Sequence, residues 1–386
     1  MNKLNEAYIT DVTAFMPNDP ISNEEMENVL GKVGGKPSRA RKLILRSNGI
    51  KSRHYVLDPE TREPSFTNAQ LTALAIKKLA NNSFALNDIQ NISCGTSMPD
   101  QMNPGHGVMV HGELKNLPCE VVTTSGICLA GLTALKYSYL SVLSGDHENA
   151  VATGSEAASP HFKGEYYQDE IEEKLQALEK KPELAFEKDF LRWMLSDGAG
   201  AVLIENQPRK GKLALKIEWI DIYSYANEIE TCMYTGAQKQ DDGSLIGWRN
   251  FTLDECKSDS IMAIKQDVKL LNENIVHYCI KETINRVVDK RGLKPEDIDH
   301  FLPHISSEYF RSKIMEELDE MNYPIPDEKW FTNLSSKGNT GSASIYIMLE
   351  ELFNSDKLKA GDNILCFVPE SGRFSSGYML LKVVEG

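Results

Sequence analysis

The chain has 386 residues, 41% hydrophobic and 25% charged, with 42 Lys and Arg against 56 Asp and Glu for a formal net charge of -14. That length suits two or three cores of roughly 150 residues each, and the mixture is that of a globular protein, neither disordered nor fibrous. The acidic balance argues against a general nucleic-acid binder, which needs a cationic surface to displace counterions from phosphates, so no nucleic acid partner is expected.

The first residues, MNKLNEAYITDVTAFMP, lack the apolar run of a signal peptide, and no later stretch approaches the ~20 apolar residues that span a bilayer. A cytoplasmic protein without a membrane partner is the expectation. Seven cysteines (Cys94, Cys119, Cys128, Cys232, Cys256, Cys279 and Cys366) are odd in number and lack CxxC spacing. Reduced thiols therefore fit better than a disulfide framework or a zinc site.

In chain order, residues 7–12 read as a buried strand. Between Gly31 and Arg53 lie eight basic residues and no acidic one: Lys32, Lys36, Arg39, Arg41, Lys42, Arg46, Lys51 and Arg53. Such a stretch is either a landing surface for an anionic partner or a solvated helix face. His106 and His111 have no third histidine or carboxylate at matching spacing, so no metal is expected there. A strand at 120–123 leads into TTSGICLAGLTALKYSY, where a helix is predicted over 129–143, stopping at Gly145. Cys128 stands at the start of that helix. Unpaired amides and the positive end of the helix dipole are expected to lower its thiol pKa, although a buried structural cysteine has the same local signature.

A strand follows at 149–153. Residues 161–194 then interrupt the rhythm with charged and aromatic residues and with Ile171, Leu175 and Leu178 at helical spacing, the pattern of a cap over a pocket or of a surface helical hairpin. SDGAGAVLIE (196–205) holds a strand at 199–205. Its glycines lack phosphate-loop spacing and read as close-packing residues. The polar run NQPRKGK (206–212) marks a junction, dividing the chain into 1–205 and 206–386.

In the second half, a strand at 300–303 delivers His304 in FLPHISS, just after a proline that fixes the backbone. In NLSSKGNTGSAS, Asn339 precedes a helix predicted over 342–353. Either residue alone has a bland reading, a satisfied core histidine or a turn-forming asparagine. Strands at 363–368 and 377–383 flank PESGRFSSGYMLL. Strands alternating with amphipathic helices make the fold class α/β.

GICLAGLTAL, PHISS, GNTGSAS, SDGAGAVLIE, RSNGIKSR (46–53) and the loop GTSMPDQMNP (95–104) together resemble the successive signatures of ketoacyl synthase III relatives in the thiolase superfamily. The resemblance spans nearly the whole chain. It implies a five-layered αβαβα fold made of two similar halves, a homodimer, and no cofactor beyond the phosphopantetheine arm of acyl carrier protein or coenzyme A substrates. It further implies a ketosynthase. Cys128 would accept an acyl group, and His304 and Asn339 would bind the thioester carbonyl of a second acyl or β-ketoacyl substrate, which then attacks the acyl group to form a carbon–carbon bond. Aligning the last motif makes the amides of Gly372 and Cys128 the oxyanion hole. The pattern there is normally small residues, whereas this chain has Glu370 and Arg373. They are either an auxiliary acid or base and a substrate contact, or an ion pair bracing the loop. The departure is similar to ketosynthases that join two β-ketoacyl units in dialkylresorcinol formation. A buried cysteine needs a tunnel for the pantetheine arm, and Arg39, Arg41, Lys42 and Arg46 are candidates for its positive mouth. An acyltransferase passing the acyl group to an alcohol or amine, and a non-catalytic partner subunit, are the competing readings.

Overall fold

A computed structural model describes residues 5–38, 41–167 and 191–386. Arg39 and most of the expected cap at 161–194 lie outside the described residues. Nine strands form the main sheet: β1 (Tyr8–Phe15), β2 (Asn91–Thr96), β3 (Glu120–Ser125), β4 (Asn149–Glu156), β5 (Gly198–Glu205), β6 (Leu213–Ser224), β7 (His300–Pro303), β8 (Asn363–Glu370) and β9 (Ser375–Glu385). Their order is β7-β8-β9-β6-β1-β5-β4-β2-β3. All seven strands read from the sequence coincide with members of this set.

The nine strands are two sheets sharing a short seam. β1 pairs along most of its length with β5, but with β6 only through Tyr8–Lys216 and Ile9–Leu215. One sheet is drawn from residues before 206 and the other from residues after 212. In each, a parallel pair sits at the outer edge, β2 with β3 and β7 with β8.

Three hydrophobic cores separate the helices into layers. α4 (Leu129–Ser144) and α8 (Ser344–Phe353) lie between the sheets, with Leu132, Leu135, Ile345 and Leu349 meeting Val202 and Ile204 of one sheet and Ile364, Met379 and Leu381 of the other. On the far face of the first sheet, α2 (Asn68–Lys77) and α3 (His106–Leu114) set Leu71, Ile76 and Val110 against Ile92, Val151 and Leu203. On the far face of the second sheet pack α5 (Val268–Val276), α6 (Thr283–Arg291) and α7 (Tyr309–Glu320). The layering is αβαβα. Strands buried on both faces read as near-continuous apolar runs, which is why Ala199–Ile204 and Ile364–Val368 are so plain in the sequence.

The two middle helices approach closely at Gly131, whose carbonyl accepts from Tyr346 OH at 2.7 Å. A β-carbon added at Gly131 on α4 or at Gly154 on β4 would collide with the same backbone oxygen, that of Ser342, at the entry to α8. α4 ends as its sequence dictates, with Gly145 in the left-handed conformation at φ 79°. Four of the seven cysteines (Cys94, Cys232, Cys279 and Cys366) are buried, and all seven are free thiols.

Candidate active site

Strand β3 runs out at Ser125, and Cys128 is the residue from which α4 starts. Leu129 and Leu132 anchor that first turn in the core, so the sulfur is held on a rigid element. The expected lowering of its pKa does not occur. The Glu370 carboxylate occupies the helix start, its Oε2 accepting from the N–H groups of Ile127 (2.9 Å) and Leu129 (3.2 Å), on either side of Cys128. Burial pushes the thiol well above its ordinary value, and the negative charges of Glu370 and Glu156 push it further. The sequence reveals the helix start but not the carboxylate sitting on it.

His304 follows β7, its N–H donating to Phe367 O at 2.8 Å, which extends the β7–β8 ladder by one residue. The ring is 3% exposed, and burial lowers its pKa to about 4. It is therefore a neutral imidazole at neutral pH, carrying one N–H donor. Asn339 is fixed from both ends: its N–H donates to Met194 O at 3.0 Å, and its carbonyl accepts from Ser196 N–H at 2.8 Å. Its side-chain Oδ1 accepts from Gly341 N–H at 2.9 Å. An amide N–H can only donate, so the oxygen of the carboxamide is committed to Gly341 and the Nδ2 donor is left for the cavity.

Cys128, His304 and Asn339 line one cavity. Around them are Ser97, Glu156, Ser196, Gln266, Ser306 and Ser371, a polar end. The other end is apolar, walled by Leu271, Ile275 and Val276 of α5, by Ile280, and by Phe310 and Ile314 of α7. Ile280 belongs to a π-helical turn, His277–Glu282, that joins α5 to α6. Such bulges are frequent where a helix lines a functional site.

Glu156, at the end of β4, has no signal in the sequence because it merely closes a strand. It is 3% exposed, and its carboxylate accepts from Ser97 N–H (3.1 Å), Ser97 Oγ (2.6 Å) and Ser342 N–H (3.1 Å). Burial raises its pKa. This one carboxylate ties the 95–104 loop to the entry of α8. Asp197, in SDGAGAVLIE, is a second buried tie, accepting from Val56, Ala158 and Ser159 N–H at 2.7, 2.7 and 3.0 Å. Burial raises its pKa to about 6.

Gly372 is set one residue back from the cavity wall that Ser371 forms, and its carbonyl accepts from the N–H groups of Cys232 and Met233. A Glu370–Arg373 ion pair is not formed. Arg373 is exposed and its Nε donates to Ile229 O at 2.8 Å, while Glu370 turns inward to α4.

The basic stretch divides. Arg53 is fully buried, donating to Asn23 Oδ1 and Trp193 O, and so forms no part of a landing surface. Helix α1 (Arg41–Asn48) carries Lys42 and Arg46 exposed. Arg41 is half-committed, lying 3.7 Å from Glu27 and stacked 5.5 Å over the Trp193 ring. Trp193 is the neighbour of Met194 in the cavity wall, so α1 lies one residue behind that wall. His106 is buried, its Nε2 at 3.1 Å from Ser155 Oγ and 3.3 Å from Thr72 Oγ1, and burial lowers its pKa to about 4. His111 approaches Leu117 O at 3.3 Å.

Residues 288–382 match the family described as 3-Oxoacyl-[acyl-carrier-protein (ACP)] synthase III C terminal. The beta-ketoacyl-[acyl-carrier-protein] synthase III of Clostridium perfringens is 24% identical over 373 residues, spanning 96% of this chain and 97% of that protein. Among solved structures, AbyA1, a tetronic acid condensing enzyme, superposes with a TM-score of 0.75 at 18% identity, covering 98% of this chain and 100% of its own. A point variant of Xanthomonas campestris OleA superposes at 0.72 with 16% identity, covering 98% and 99%. The architecture is the one that the resemblance implied.

Proposed function

We propose that this chain is a ketosynthase of the ketoacyl synthase III-like branch of the thiolase superfamily, working through an acyl-Cys128 intermediate. The observation that carries this reading is the convergence on one cavity of a helix-start thiol, a neutral imidazole and a carboxamide from three distant segments. In the first half-reaction the Cys128 sulfur bonds to the acyl carbon and the pantetheine thiol leaves. The N–H groups of Cys128 and Gly372 hold the oxyanion of the tetrahedral intermediate. In the second, His304 and Asn339 Nδ2 donate to the thioester carbonyl of the incoming substrate and stabilise the enolate left when its α-carbon loses carbon dioxide or a proton. That carbon attacks the acyl group and frees the thiol. A neutral histidine suits the task, because it offers a donor without needing a counter-charge inside an apolar cavity.

The apolar end fits an aliphatic acyl chain. Gln266 and Ser371, hydrogen-bonded to each other at 3.1 Å, add polar groups to the cavity lining, which favours a second substrate with a β-keto oxygen, as in dialkylresorcinol formation. Lys42 and Arg46, with Arg41 on the same helix, would receive the anionic carrier, an acyl carrier protein or coenzyme A; Arg39 remains a candidate from the sequence. A homodimer is favoured by the edge strand β3, paired on one side by β2, with Leu117, Val108 and Leu140 exposed around it. Leu140→Asp should shift the solution mass toward the monomer in light scattering.

The function is tested by intact-protein mass after incubation with acetyl-, octanoyl- and β-ketoacyl-thioesters. Wild type should gain one acyl group and Cys128→Ala none. An unmodified wild type across the panel, or equal labelling of the alanine variant, would remove the assignment.

A further inference from the structure

The environment of Cys128 leaves its proton without the usual exit. A helix start stabilises a thiolate through its unpaired amides, and here two of those amides, on Ile127 and Leu129, are already given to Glu370 Oε2. A β-carbon at Gly126 would sit 3.2 Å from the same oxygen, and one at Gly372 3.2 Å from the other, Oε1. The carboxyl group is thus wedged between the nucleophile turn and the β8–β9 hairpin. Arg373, the nearest cation in sequence, points away to Ile229 O. A resting thiolate beside this carboxylate would place two negative charges in a half-buried corner.

We propose that Glu370 is the proton acceptor for the Cys128 thiol during acyl transfer, an inference that rests on Cys128 being the acyl-accepting residue. As Sγ bonds to the thioester carbonyl carbon, the S–H bond breaks and its proton passes to the Glu370 carboxylate. When the tetrahedral intermediate collapses and its bond to the pantetheine sulfur breaks, that sulfur takes the proton back and leaves as a thiol. Glu370 is a carboxylate again, and Cys128 carries the acyl group. The two amide bonds hold the carboxyl in place through both transfers, and burial raises its affinity for a proton, which improves it as an acceptor. The other titratable groups facing this corner are Glu156 from β4, His304 from the turn after β7 and Cys279 from the π-helical turn. Glu156 already accepts three hydrogen bonds from Ser97 and Ser342, burial makes the neutral His304 ring a weak base with a pKa of about 4, and Cys279 is pushed toward the protonated thiol by burial, so Glu370, bonded to the amides on either side of Cys128, is the best-placed acceptor.

The test compares wild type with Glu370→Gln, which keeps an oxygen for the two amides and removes the base. Acylation of Cys128 by octanoyl-coenzyme A is followed by intact mass from pH 6 to 9, and alkylation by iodoacetamide is measured in parallel. Acylation at pH 7 should fall about 100-fold or more, while alkylation should be as fast or faster, because removing the negative charge eases thiol ionisation. Wild-type acylation should level off with rising pH. Acylation within threefold of wild type in Glu370→Gln overturns the proposal, and so does a parallel loss of acylation and alkylation, which would make Glu370 a brace for the turn. A wild-type rate that climbs tenfold per pH unit throughout, without a plateau, overturns it independently of the variant. No acyl adduct on wild-type Cys128 would instead remove the reading on which the proposal rests.

Discussion

Each half of the molecule ends a parallel edge strand in a turn that presents one reactive side chain to the cavity, Cys128 after β3 and His304 after β7. Burial acts on both in the direction of neutrality, raising the thiol and lowering the imidazole to about 4. In the proposed reaction the neutral form of His304 is the working form, a hydrogen-bond donor ready at any physiological pH. For Cys128 as the proposed nucleophile it would be the wrong form, because a thiolate is the attacking species. One site requires nothing further, and the other requires a proton acceptor. The same low-dielectric cavity therefore finishes one half-reaction's apparatus and leaves the other's incomplete.

The sharpest way to break that comparison is to separate the half-reactions. His304→Ala and Asn339→Ala should each cut carbon–carbon bond formation by about 10²- to 10³-fold, the scale of a lost oxyanion donor. Acyl-Cys128 should still form within about tenfold of wild type, as read by intact mass. A wild-type condensation rate measured from pre-acylated enzyme should be flat between pH 6 and 9, since the imidazole titrates only near 4. A rate falling as pH drops through 6.5 would mean that His304 ionises where an exposed histidine does. A smaller effect probes the seam between the halves: Gly131→Ala must displace the Ser342 backbone and should cost about 1–3 kcal/mol in denaturant unfolding. Next, Ile314→Trp fills the apolar end and should shift the preference from octanoyl to acetyl thioesters about tenfold. Charge reversal at Lys42 and Arg46 together should raise the KM for a carrier-linked substrate about three- to tenfold, most at low salt, with kcat unchanged.

Much of this is legible in the linear chain, for physical reasons that also define what is not. Strands buried on both faces declare themselves as apolar runs, and α4 declares its end through Gly145. Strand β2, NISCGT, passes unnoticed because its small polar residues are paired internally, Ser93 with Asn91 and Asn68 with Thr96. Strand β6 hides charges such as Asp221 that Lys290 and Arg291 neutralise from α6. In the site, Cys128, His304 and Asn339 are visible through their turns. Glu156 is not, since a carboxylate closing a strand has no local signature until Ser97 and Ser342 fold onto it. The sign of the Cys128 shift comes out wrong from sequence for a related reason. Helix starts are read from neighbours in sequence, whereas Glu370 reaches this one from the end of β8. Arg53 falls into a surface cluster on composition alone, because composition cannot distinguish a solvated guanidinium from one bonded to Trp193 O.

The backbone contact of Gly131 and Gly154 with Ser342 has a consequence for how such a protein can diversify. Both middle helices are clamped together by main chain, so the chemistry rests on a block that tolerates almost no drift. The outer helices α5 and α7 line the cavity with apolar side chains, Leu271, Ile275, Val276, Phe310 and Ile314, that are readily exchanged. Substitutions there can swap one cargo for another while the bond-making step is inherited intact.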